Sequence, residues 1–150
     1  MKAVLQFRDY HVLETTYKNN PYKTVEEEKP LHPNIFFKLD VNPENISQAI
    51  VGLGIELGDS NLKETSFYVK VRISGLFEIL SEIDVVNENQ IINFYKVNAV
   101  AILFPYLRSL VSDITSKGSE APVILPTLNI AAMINENELE ENEDEFAELE

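Results

Sequence analysis

Residues 98–118 constrain this chain more than any other stretch. From Ala99 to Leu107 the sequence is an apolar run of nine residues with Pro105 inside it. Val100, Leu103, Leu107, Leu110, Val111 and Ile114 recur at steps of three, four and one, while Arg108, Ser109, Ser112 and Asp113 take the opposite side. That spacing predicts an amphipathic helix. Pro105 cannot donate the internal hydrogen bond, so it sits in the first turn or kinks the helix. Gly118, after Lys117, is a natural stop.

Upstream the period changes to two. Leu5, Phe7, Tyr10, Val12 and Tyr17 give a first strand over residues 3–17, whose alternation slips near Asp9 and predicts a bulge or bend there. Residues 18–34 hold Pro21, Pro30 and Pro33 with Glu26-Glu27-Glu28 and read as an irregular connection. Ile35, Phe37, Leu39 and Val41 alternate with Phe36, Lys38 and Asp40 as a half-buried strand. Asn42-Pro43-Glu44-Asn45 reads as a turn. Val51, Leu53, Ile55 and Leu57 then share one face, and Gly52 and Gly54 on the other leave room for a close approach. Gly58-Asp59-Ser60-Asn61 makes a hairpin connection to the strand of Phe67, Val69, Val71 and Ile73. Leu76-Phe77-Glu78-Ile79 is an extension or a short helix-like segment, and the chain to about residue 90 is loop-like.

After Gly118, Pro122 and Pro126 mark a loop, and a second helix is expected from about Ile130 through Ile134. Strands first and helices last predict an α+β fold: a four-stranded antiparallel sheet followed by two helices. The 150 residues suit one domain, taken as 1–135, with 136–150 as an acidic tail.

Composition narrows the function classes. The chain has no cysteine, so disulfides, thiolate metal sites and cysteine nucleophiles are excluded. Of the formal charge of −13, residues 136–150 supply nine acidic groups and no basic one, which leaves −4 on the other 135 residues. The tail is expected to be solvated, with a DNA-mimicking role or docking of a basic partner as the competing readings. No Lys/Arg cluster exists that would displace counterions, so nucleic acid is not an expected partner. Lys2 precedes an apolar stretch that Arg8 and Asp9 soon interrupt, unlike a secretory signal. The longest apolar run falls short of the about 20 residues of a membrane span, so a cytoplasmic protein without membrane insertion is expected. Asn45-Ile46-Ser47 fits a glycosylation sequon and is read as chance.

Catalytic chemistry has little to stand on. His11 and His32 are the only histidines and neither lies at a metal-ligand spacing, so no metal site is expected. Gly52-Leu53-Gly54 alternates inside a strand and opens no helix, so it is no phosphate loop. No cofactor is expected, and no enzyme activity. Function therefore turns on surfaces and partners.

One motif is specific. Ile102-Leu103-Phe104-Pro105-Tyr106, followed by Arg108, resembles the signature of the SecB family of protein-export chaperones. Supporting matches run over roughly residues 4–135: Leu5-Gln6-Phe7 resembles the opening strand, and Thr65, Phe67 and Gly75-Leu76-Phe77 the third strand and its exit. Ser116-Lys117-Gly118 and the loop through Leu128-Asn129 resemble the link between the family's two helices.

The resemblance implies a dimer of dimers, a homotetramer with the first helix buried between dimers through Ile102, Leu103, Tyr106, Leu107 and Leu110. It implies an ATP-independent holdase whose clients are unfolded chains or preproteins, bound in apolar grooves. Positions matching the groove are Phe36, Phe37, Leu39, Val41, Leu76, Phe77, Ile79, Ile130 and Met133, and ordinary core is the competing reading of each. Members that pass clients to the ATPase SecA dock it through acids on the first and third strands. Here Glu14 keeps one such position, while Lys18 and Lys70 reverse two. Sign reversal weakens docking to the usual partner. Protection of an antitoxin in a toxin–antitoxin system then stands beside general export. An oligomeric scaffold or acidic adaptor without chaperone activity is the alternative from another class.

Overall fold

The computed structural model describes residues 5–22, 33–80 and 88–118. Its elements are β1 (Leu5–Asn19), β2 (Asn34–Val41), β3 (Gln48–Gly58), β4 (Phe67–Ile79) and α1 (Glu88–Gly118). The strands form one antiparallel sheet in the order β1-β4-β3-β2. The expected second helix, with Ile130 and Met133, and the acidic tail lie outside the described residues.

The period-two pattern sets the inner face. Phe37, Leu53 and Ile73 line up across β2, β3 and β4, and Ile35, Ile55 and Val71 form the next row. Val51, Leu53, Ile55, Val69, Val71 and Ile73 are wholly buried, and each such burial stabilises by about 1.5–3 kcal/mol. The slip expected near Asp9 is a register shift between Phe7 and Asp9, and a second follows between Val12 and Glu14. The segment Leu76-Phe77-Glu78-Ile79 is not helix-like. It continues β4, pairing with Gln48–Ile50 on one side and Leu5–Asp9 on the other.

Between β2 and β3 the expected turn forms, with the Asn42 side chain accepting from the Glu44 N–H at 3.0 Å. Asn45, the sequon residue, accepts from the Ser47 N–H at 3.2 Å. At the other hairpin Gly58 takes φ 84°, a left-handed conformation that glycine reaches without strain.

Helix α1 corrects the expected loop to about residue 90 and decides between the two places open to Pro105. It begins at Glu88, so Asn89 and Gln90 belong to its first turn and not to a loop. Pro105 is inside the helix, far from the first turn. Both Pro105 and Ala101, whose carbonyl would have been its partner, are exposed. The missing hydrogen bond therefore falls on the side where water replaces it. At 31 residues the helix is, by length and composition, also long and apolar enough to cross a membrane, contrary to what the short apolar run led one to expect. In this fold its inner side is core: Tyr95, Ala99, Val100, Leu103, Leu107 and Val111 are wholly buried over the sheet, chiefly over β4 and β3. The Tyr95 hydroxyl donates to the Ile46 carbonyl at 3.0 Å and ties α1 to the β2–β3 turn.

Gly75 sets how closely helix and sheet approach. A Cβ there would stand 2.8 Å from the Phe77 ring, 2.9 Å from the Phe7 ring and 3.1 Å from Leu103 Cδ2. The two rings are stacked at 5.0 Å and cannot move apart without disturbing α1. Gly75→Ala is expected to destabilise by about 1–3 kcal/mol through overpacking, read as a lower urea midpoint. An unchanged midpoint would contradict the close approach.

Candidate functional site

With α1 covering one face of the sheet, the described residues leave three surfaces: the far end of the β2–β3 hairpin, the opposite sheet face, and the outer side of α1. The expected groove residues divide among them. Phe37, Phe77 and Ile79 are buried in the core, so the competing reading holds for these three. Leu39 and Val41 are partly buried against the same core. Phe36 faces the other way, and there it is only 6% exposed. Its ring lies beside Gly54, where a Cβ would come within 3.3 Å of Phe36 Cδ2 and 3.2 Å of Arg72 Cγ. The close approach that the strand glycines left room for is thus made by Phe36 itself. Ile130 and Met133 lie outside the described residues.

Leu76 belongs to an apolar surface that the sequence pattern concealed. It is 36% exposed and directly opposite Ile50, which is 46% exposed. The pair is flanked by Asp9 on β1 and Asp40 on β2. Ile46 and Leu80, also exposed, follow at the same end of the sheet. An open cleft of about 260 Å³ is lined here by Val41, Pro43, Ala49, Ile50 and Leu76, with Asp40 and Gln48 at polar positions. Val41 and Leu76 are the expected groove residues that meet in it. Ile50 was missed because it falls between the inward positions Ala49 and Val51; an apolar residue at that parity was the available signal. Such a cleft, apolar with a few carboxylates at its edge, suits an apolar side chain from an extended chain.

On α1, Leu103 and Leu107 are 0% exposed against their own sheet. They serve the core of one chain and are not available to a second. Ile102 and Leu110 are partly buried at its margin. Tyr106, 45% exposed, lies over the β1 edge of the sheet, its ring 5.6 Å from Phe7 and 5.0 Å from Tyr10.

The positions expected for docking, Glu14, Lys18 and Lys70, meet on the sheet face away from α1. Glu14 accepts from Arg72 Nε at 2.6 Å and from the Thr16 hydroxyl at 3.0 Å. Burial pushes the Glu14 carboxyl up, but the hydrogen bonds from Thr16 and Arg72 and the charges of Arg72 and Lys70 outweigh it and hold the group below its ordinary value of 4.5. Lys18 donates to the Ser60 carbonyl at 3.1 Å and stands 5.5 Å over the Tyr68 ring. Lys70 stands 5.2 Å over the Phe36 ring. The one acid retained is therefore engaged by an arginine, and the two reversed positions present ammonium groups.

A depressed Glu14 carboxyl binds protons more readily in the unfolded chain. The stability it supplies is present above about pH 4.5 and is lost as the pH falls through its lower folded value. Glu14→Gln is expected to cost about 1–2 kcal/mol at pH 7, discounted for partial exposure, and to flatten the acid limb of a stability–pH curve. Parallel acid limbs in the two proteins would contradict the pairing.

Among the described residues no group of three or more His, Asp or Glu side chains is placed to hold a metal ion. A family model for the preprotein translocase subunit SecB matches residues 8–141. An uncharacterized protein of Methanocaldococcus jannaschii is 34% identical over 152 residues, covering 99% of this chain and 95% of that one. The protein-export protein SecB of Anaplasma phagocytophilum is 29% identical over 111 residues, 71% of this chain and 69% of its own. Among solved structures, a SecB-like chaperone of Mycobacterium tuberculosis, in complex with a ChAD peptide from an antitoxin, shares the fold. Its TM-score is 0.66 at 21% identity, over 83% of this chain and 90% of that one. The four-stranded antiparallel sheet with its long helix is thus a SecB-like fold, and the chain belongs to the SecB family.

Proposed function

We propose that this protein is an ATP-independent holdase that binds unfolded polypeptides at the hairpin end of its sheet. The observation that carries the reading is the exposed cross-strand pair Ile50 and Leu76 beside the cleft at Val41. Contiguous exposed apolar side chains mark interaction surfaces, and binding through apolar area with few polar contacts discriminates little among sequences. The flanking Asp9 and Asp40 favour client segments with basic residues beside the apolar anchor. Clients are export-destined preproteins or a dedicated chain such as an antitoxin. Engagement of Glu14 by Arg72, with Lys18 and Lys70 on the same face, favours a recipient other than a basic SecA surface. The cytoplasm is the compartment that fits this role.

Assembly follows from the outer side of α1. Tyr106, Ile102 and Leu110 extend the apolar surface beyond the stripe that the sheet covers, and a second α1 would bury them. We assign the protein to a dimer of dimers on this basis, with residues 1–135 as the folded unit and 136–150 as its acidic extension. Light scattering is expected to give four times the 17.1 kDa chain mass. Leu110→Glu should halve it while the circular dichroism melt stays cooperative, because the new charge would be buried between helices. A parent mass of one or two chains, or a tetramer indifferent to the substitution, would contradict the assembly.

The activity itself is tested without nucleotide. A chemically denatured client diluted into buffer with about one tetramer per client should stay soluble, with scattering reduced at least fivefold. Ile50→Asp with Leu76→Asp should abolish that protection. Undiminished aggregation of several clients would overturn the holdase reading in favour of an oligomeric scaffold or acidic adaptor.

A further inference from the structure

The cleft at the hairpin end has a polar wall beside its apolar one. Gln48 opens β3 two residues before Ile50 and opposite Glu78, and Asn42 follows directly on β2. Both line the cleft. The Asn42 N–H donates to the Gln48 carbonyl at 2.9 Å, which fixes the two backbones against each other. The side chains then meet: Asn42 Nδ2 donates to Gln48 Oε1 at 3.4 Å, while Asn42 Oδ1 accepts from the Glu44 N–H at 3.0 Å. Glu78 accepts from Arg8 Nε at 3.1 Å.

These bonds leave one group over. The oxygen of the Gln48 amide is engaged, but its Nε2, a donor of two N–H groups, makes no hydrogen bond among the described residues. Gln48 is half-buried, so a ligand lying over the cleft strips water from this donor. That costs free energy unless the ligand supplies an acceptor. Asp40, opposite Ile50, and Asp9, opposite Leu76, turn away an acceptor that is itself a carboxylate. The neutral acceptor that accompanies every apolar side chain is the carbonyl of its own main chain. In a folded protein those carbonyls are already paired, whereas in an unfolded chain they are open.

We propose that Gln48 Nε2 donates to a main-chain carbonyl of an extended client whose apolar side chain is seated on Ile50 and Leu76. Gln48 and Ile50 stand about 7 Å apart along β3, the distance over which an extended client advances two residues, so a carbonyl beside the anchor comes within reach of the amide. The cleft thereby selects for two properties together, an apolar side chain and an unpaired backbone, and a folded chain offers only the first. Gln48 is in this sense the residue that distinguishes unfolded from folded chains. The inference rests on the client-binding reading of the cleft and adds a hydrogen bond to it.

The test uses the full chain. It has no tryptophan, so a short serine-rich peptide with one tryptophan as its apolar anchor and a lysine at each end reports its own binding by fluorescence. Gln48→Met keeps the length of the side chain and removes the donor. The peptide is also made with single ester links at successive positions, whose carbonyls accept more weakly than those of amides. The ester beside the anchor is expected to weaken binding to the parent protein about threefold and to leave binding to Gln48→Met unchanged. Ester effects that are the same in both proteins at every position would overturn the main-chain bond. If Ile50→Asp still abolishes peptide binding in that case, the cleft stands and only this inference falls. Peptide binding indifferent to Ile50→Asp would overturn both.

Discussion

The contact between Leu103 and the Gly75 position is the constraint on which the rest of the fold depends. Without a Cβ at Gly75, α1 settles onto β4 with the stacked Phe7 and Phe77 rings beside it. That depth lets one helix of 31 residues serve as the whole described cover of the inner sheet face, from Ile91 near its start to Val111 near its end. Because a single helix does this, its outer side keeps apolar residues that the chain's own described core does not enclose. Tyr106 and Pro105 are on that side, and the proline's missing hydrogen bond costs least there. The run Ile102–Tyr106 is therefore part core and part surface: Leu103 and Phe104 are buried, and Tyr106 is partly exposed over Phe7 and Tyr10.

The two sheet faces have separate tasks for the same reason. The inner one is apolar and closed along β3 and β4. The outer one is mixed along its length, with cations and rings at the Asn19 end and the Ile50–Leu76 pair at the hairpin end. Strand pairing places these two regions on a single surface.

The strands were legible because alternation is local. Val51, Leu53, Ile55 and Leu57 announce β3 and its inner face without reference to anything else, and the broken alternation at Asp9 announces the bulge. The strand order was not legible, since β1 pairs with β4 across more than forty intervening residues. The first third of α1 was obscured by Asn89, Gln90, Asn93 and Asn98, which dilute the apolar pattern even though Ile91, Tyr95 and Ala99 keep the four-residue step. Of the residues lining the cleft, Leu76 and Val41 were named from the sequence and Ile50 was not, because exposure of an apolar residue is a property of its face. Phe37, Phe77, Leu103 and Leu107 were given to surfaces because family likeness identifies a position and not the direction its side chain takes.

The central claim is that unfolded chains bind across the hairpin end of the sheet. Hydrogen–deuterium exchange on the full chain, with and without a saturating client that cannot refold, tests it most directly. The account predicts slowed exchange in peptides covering residues 40–52 and 74–80, with the middle of β1 unchanged. Protection confined to β1 and α1, or no change at the hairpin end despite bound client, would contradict it.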